Sequence, residues 1–244
     1  LELAPEGGGG GDGRYSFGYS WRPLQPGAAY SVESDPNDVY GKRCAEIVDG
    51  IRDGAPNALY GRLAEPEREG VAWPAAAAAG QRRFAAGLDA LLEAGALHPF
   101  DQHQRAYIAG HGDAPTLLVQ GPPGTGKSYA TAFALLARLQ GALAAGQLFR
   151  TILSCKTHAA TDVLLEQLAE VQAALRAIQA QQPALFAAYF DPRILDAPLF
   201  RVAPRDPARP WPGAVRVLDR DAALGVIVQQ RACFAAFTLF AVGT

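Results

Sequence analysis

Gly121-Pro122-Pro123-Gly124-Thr125-Gly126-Lys127-Ser128 is the stretch that decides the fold class of this 244-residue chain. The octet has the form Gly-x4-Gly-Lys-Ser. It follows a short apolar run, Thr116-Leu117-Leu118-Val119-Gln120, and precedes Tyr129 and the helical stripe Phe133, Leu136 and Leu143. The run predicts a buried parallel strand over 116–120, and the stripe predicts a helix that opens inside Gly126-Lys127-Ser128. Glycines let the backbone curl until successive N–H groups face inward, and a helix N-terminus adds a dipole that favours anions. A triphosphate fits this arrangement: Lys127 would set a point charge on the β and γ phosphates, and Ser128 would ligate Mg²⁺. The octet and the adjoining Tyr129 therefore form the predicted ATP site, with Lys127 and Ser128 as its catalytic pair.

Outward from the loop, strand and helix patterns alternate. Thr151-Ile152-Leu153-Ser154-Cys155 reads as a strand, and Leu164, Leu168, Val171, Leu175 and Ile178 lie on one stripe of a long helix. Ala203 to Pro212, with four prolines, reads as an exposed loop, and Phe237 to Val242 as a third strand. Strand and helix in alternation predict a parallel sheet covered by helices, an α/β fold. Upstream, Phe84, Leu88, Leu91 and Leu92 predict one helix. Tyr40, Cys44, Ile47 and Ile51 predict another, which starts at Asp35-Pro36-Asn37-Asp38 and ends near Gly54. The expected organisation is a glycine-rich linker over 1–13, a small, mainly helical accessory region over 14–99, and the α/β domain over 100–244.

Composition limits the partners without choosing one. A formal charge of -2 gives no global basic field, so a nucleic acid would have to be held by a few placed groups. Cys44, Cys155 and Cys233 stand far apart among apolar neighbours, as reduced thiols of a cytoplasmic protein do. No run is long enough for a membrane span and the start has no signal-peptide pattern, so no membrane partner is expected. The chain has no methionine and stops at Thr244, straight after an apolar strand-like run, which reads as a piece of something longer.

Three further stretches carry a family resemblance. Phe100-Asp101-Gln102-His103-Gln104 precedes the phosphate loop, and Ser154-Cys155-Lys156-Thr157-His158-Ala159-Ala160-Thr161-Asp162-Val163-Leu164 follows it, with Ala241-Val242-Gly243-Thr244 at the end. In this order and spacing they resemble the Q motif, motif Ia and the start of motif Ic of superfamily 1 helicases related to the nonsense-mediated-decay and Okazaki-fragment helicases. The resemblance covers roughly 100–244, with a poorly matched stretch between about Gln179 and Leu224. It implies a RecA-like P-loop domain, present in part, whose parent couples ATP hydrolysis to movement along single-stranded DNA or RNA. Gln104 would read adenine through its paired donor and acceptor. Lys156, Thr157, His158 and Thr244 would touch the nucleic-acid backbone. On the residues alone, Gln104 is equally an exposed helix residue and Thr157 equally a plain helix cap. Lys156 and His158 depart from the family, which usually has proline and asparagine there.

The Pro-Pro-Gly-Thr filling of the loop also resembles the AAA+ protein-remodelling ATPases, and a small-molecule phosphotransferase is a third reading. An acidic Walker B pair soon after the loop would favour AAA+. Val215-Arg216-Val217-Leu218-Asp219 is the only lookalike, and it is read as an ordinary strand end because Arg216 breaks the apolar run and Arg220 stands in place of the catalytic acid. Without that acid, the second-domain arginines and the γ-phosphate-sensing glutamine, the chain is expected to hold nucleotide and hardly hydrolyse it.

Overall fold

The computed structural model describes residues 72–238 apart from 115, 123, 156 and 214, and residues 45–54 apart from 47 and 51. The chain divides into two units, Leu1–Pro66 and Glu67–Thr244. In the first, the backbone at 45–46, 48–50 and 52 is helical, and Gly54 takes a φ of 77° just beyond it, where a side chain would be strained. The predicted start of this helix at Asp35 lies outside the described residues, as do the glycine run, Cys44 and residues 239–244.

The second unit runs α1 (Ala75–Glu93), α2 (Gln102–Ala109), α3 (Lys127–Ala144), β1 (Phe149–Cys155), α4 (His158–Gln181), α5 (Pro183–Tyr189), a 3-10 turn (Pro192–Ile194), β2 (Leu199–Val202), β3 (Val215–Leu218), α6 (Arg220–Gln229) and β4 (Ala232–Thr238). The four strands form one all-parallel sheet in the order β1-β4-β2-β3. The α/β class with a parallel sheet and flanking helices is therefore as expected.

Alternation along the strands divides the core. Leu153, Leu199, Phe234 and Ala236 face one side and join the main cluster, which Phe133, Leu136, Leu165, Leu168 and Leu175 fill from α3 and α4. Phe200, Val202, Cys233 and Ala235 face the other side, where Ala223 of α6 closes a smaller cluster. Helices thus lie on both faces, because helical crossovers connect the parallel strands.

Two expectations need correction. The segment 116–120 is not a strand: it pairs with nothing in the sheet, and Leu118 is 86% exposed. Apolar composition supplies the side chains for a strand, but ladder partners come from elsewhere in the chain, and this segment has none among the described strands. The last strand begins at Ala232, five residues before the predicted Phe237, because Ala232-Cys233-Phe234-Ala235-Ala236 is buried on both faces and lacks the polar alternation that marks a strand. The stretch between Gln179 and Leu224, poorly matched to the helicase family, supplies β2, β3 and the start of α6, and β3 falls where residues 215–219 read as a strand end.

The core also crosses Phe100. Phe84, Leu88 and Leu91 of α1 lie in the main cluster, and α1 packs on α3 through glycines. A Cβ at Gly141 would lie 2.6 Å from the Ala77 carbonyl oxygen, and one at Gly80 would lie 2.8 Å from the Ala144 Cβ. Buried glutamines fasten the contact. Gln140 Nε2 donates to the Gly80 and Tyr189 carbonyls at 3.0 and 2.9 Å while its Oε1 accepts from the Asp191 N–H. Gln81 Nε2 donates to the Ile108 and Gly110 carbonyls, each at 2.9 Å. None of the described helices is long and apolar enough to cross a membrane.

Candidate functional site

The phosphate-loop residues are placed by the start of α3. Gly124 and Gly126 have φ of 81° and 71°, left-handed values that a side chain would strain, and Gly126 is the N-cap of α3. No side chain caps this helix. Its first backbone N–H groups have no acceptor within the helix. Lys127 Nζ reaches back across the loop and donates to the Gly121 carbonyl at 2.5 Å and the Pro122 carbonyl at 2.6 Å. Thr125 Oγ1 donates to the Pro122 carbonyl at 2.9 Å. The loop is thereby drawn into a closed curve with an ammonium group across it and uncapped N–H donors at its end. Ser128 and Tyr129 are half-buried in the first turn. Tyr129 stacks on Phe100, with centroids 5.4 Å apart, and meets Phe133 edge-on; burial pushes its hydroxyl pKa up. Pro123 lies outside the described residues.

Gln104 joins this loop from α2. Asp101 caps α2 through Oδ1, which accepts from the His103 and Gln104 N–H groups at 2.7 and 2.8 Å, and Gln104 Oε1 accepts from the Asp101 N–H at 3.0 Å. This is a reciprocal capping box, legible in the Asp-x-x-Gln spacing. Gln104 Nε2 then donates to the Thr125 carbonyl at 3.0 Å. The amide is thus a tether between the α2 start and the phosphate loop, and neither a free side chain nor one wholly given to the cap. It retains one N–H and one lone pair for a ligand.

The second predicted cluster lies at the carboxyl ends of the strands, where parallel α/β sheets place their ligands. Thr157 is the N-cap of α4: its Oγ1 accepts from the Ala160 N–H at 3.2 Å. The register pairs Cys155 with Thr238, and Thr161 Oγ1 reaches the Phe237 carbonyl at 3.3 Å, so α4 begins over the adjoining ends of β1 and β4. His158 Nδ1 lies 2.9 Å from Nη2 of Arg201, a β2 residue with no exposed surface. Arg201 Nε donates to Asp162 Oδ1 at 2.6 Å, Arg209 Nη1 donates to Asp162 Oδ2 at 3.2 Å, and Arg209 also pairs with Glu166. Burial lowers the His158 pKa, and the Arg201 and Arg205 charges lower it further against the pull of Asp162. Lys156 and Thr244 lie outside the described residues.

Sequence reading missed Arg201 and Arg209. They lie 39 and 47 residues from Asp162, and no local pattern marks them. One signal was available: an arginine between Phe200 and Val202 in an apolar run demands a buried acid as partner. Among the described residues no group of three or more histidines, cysteines or acids is placed to hold a metal ion. No protein-family model, curated protein or solved structure matches the chain.

Proposed function

We propose that this chain is the nucleotide-binding portion of a superfamily 1 helicase motor, binding Mg-ATP at Gly121–Ser128 and single-stranded DNA or RNA at the start of α4. The loop conformation carries the reading. Two left-handed glycines, an uncapped helix start and a lysine ammonium braced across the loop suit a phosphate chain. In this reading the backbone from Gly124 to Ser128 and the Lys127 ammonium hold the phosphates, the Ser128 hydroxyl holds Mg²⁺, and the remaining donor and acceptor of Gln104 meet adenine. Bound Mg²⁺ would screen the phosphate charge. The backbone of a strand would lie at Lys156, Thr157 and His158, whose donors take phosphate oxygens whatever the base. In this reading the chain's own residues bind and orient the nucleotide.

Calorimetry with Mg-ATP tests the proposal. Lys127→Ala should cost about 2–3 kcal/mol of ATP binding, since it removes charge-assisted hydrogen bonds. Circular dichroism should be unchanged, because the lysine is half-buried and outside the core. Equal ATP affinity in the folded variant would refute nucleotide binding at this loop.

A further inference from the structure

Arg201 has no exposed surface, in a sheet position that is ordinarily apolar. A buried charge persists only where it is paired and hydrogen-bonded. Each of its guanidinium nitrogens has a partner: Nε has Asp162 Oδ1 at 2.6 Å, Nη1 has the Val202 carbonyl at 2.7 Å, and Nη2 has His158 Nδ1 at 2.9 Å. The last contact fixes a proton. A guanidinium has donors and no acceptor, so Nδ1 must accept and the ring hydrogen must sit on Nε2. Protonating the ring would set N–H against N–H and cation beside cation.

Every charged group that faces the ring among the described residues bears on this choice. Arg201 comes from β2, Arg205 from the loop between β2 and β3, and Asp162 from the next turn of α4 itself. Asp162 alone would favour the imidazolium, but both its oxygens are already taken, one by Arg201 and one by Arg209, which also holds Glu166. Through Asp162 and Glu166, Arg209, which lies 4.9 Å over the Trp211 ring, fastens the loop that carries Arg205 to α4.

We propose that Arg201 is a positioning residue for the start of α4: through Nδ1 it holds His158 as the neutral Nε2–H tautomer, so that position 158 offers one uncharged, fixed donor. The further step, that this donor meets a nucleic-acid backbone, rests on the function proposed above. Strand affinity at this face then depends on salt, through its other contacts, and not on the titration of an imidazole between about pH 5 and pH 8.

Nitrogen-15 NMR of the whole histidine-labelled chain reads the tautomer directly. The expected result is an unprotonated Nδ1 for His158 and no ring titration at or above the ordinary histidine pKa of about 6.5. A protonated Nδ1, or a ring that titrates there, overturns the inference with no nucleic acid involved. In Arg201→Met the ring should sample both tautomers and titrate higher. Oligothymidylate affinity, flat with pH in the wild type, should then rise about fivefold on acidification, as one added surface charge allows. Unchanged tautomer and titration in a folded Arg201→Met chain would also overturn it. If that variant does not fold, the wild-type tautomer and titration still decide. A neutral Nε2–H ring whose signals ignore oligothymidylate supports the role of Arg201 and overturns the strand reading instead.

Discussion

Gln104 shows how much one side chain can be asked to do. Its Oε1 completes the cap of α2 and its Nε2 holds the Thr125 carbonyl, so the residue proposed to read adenine also supports the phosphate loop. Gln104→Ala should therefore weaken ATP by about 1–3 kcal/mol more than GTP, as loss of a bidentate pair does. A smaller loss common to both nucleotides should come from the broken tether. Gln104→Glu should deepen the common loss, since a carboxylate oxygen facing the Thr125 carbonyl repels where the amide donated. Competition binding with both nucleotides checks this, and equal losses for ATP and GTP in Gln104→Ala would confine the residue to the tether. The sequence reading missed the capping box, although Asp101 and Gln104 stand at the required spacing. The tether was not legible, because it joins residues 21 apart through a turn whose shape the sequence does not print.

At the scale of elements, α4 has a structural start and a proposed functional one in the same place. Thr157 caps it, Thr161 ties its first turn to β4, and Asp162 anchors it to Arg201. Thr157→Ala should lower stability in urea by about 1 kcal/mol, the usual cost of a lost N-cap. It should also weaken oligothymidylate and oligouridylate to similar extents, because the phosphate contact carries no base information. Stability loss with intact oligonucleotide binding would leave Thr157 as a cap and nothing more. The long stripe of α4 was plain in the sequence, since Leu168, Val171, Leu175 and Ile178 all enter the core at helical spacing. The run at 116–120 looked no less clear, yet it is not a strand, because a strand is a property of two segments and periodicity describes only one.

Over the molecule as a whole, the helical segment before Phe100 and the sheet behind it are held by one core. The α1–α3 contact depends on the absence of side chains at Gly80 and Gly141 and on Gln140, which bonds three backbone groups from the interior. Gly141→Val should therefore cost about 1–3 kcal/mol by overpacking against the Ala77 carbonyl and Trp73, although valine suits a helix surface well enough. Thermal unfolding followed by far-ultraviolet circular dichroism measures it. Unchanged stability would mean that α1 can move off α3 without loss.

The sequence by itself determined the α/β class, the helices whose apolar residues recur every three or four positions, and the glycines that let the loop before α3 curl. These are local, written in spacing and in the conformations that single residues permit. Only the tertiary structure decided the strand order, the place of β2 and β3 in the sheet, the burial of Gln81, Gln140 and Gln172, and the union of His158, Asp162 and Arg201 at one helix start. Each of those depends on which distant backbone groups and charges are left for one another once the chain has folded, and no window of neighbouring residues contains that information.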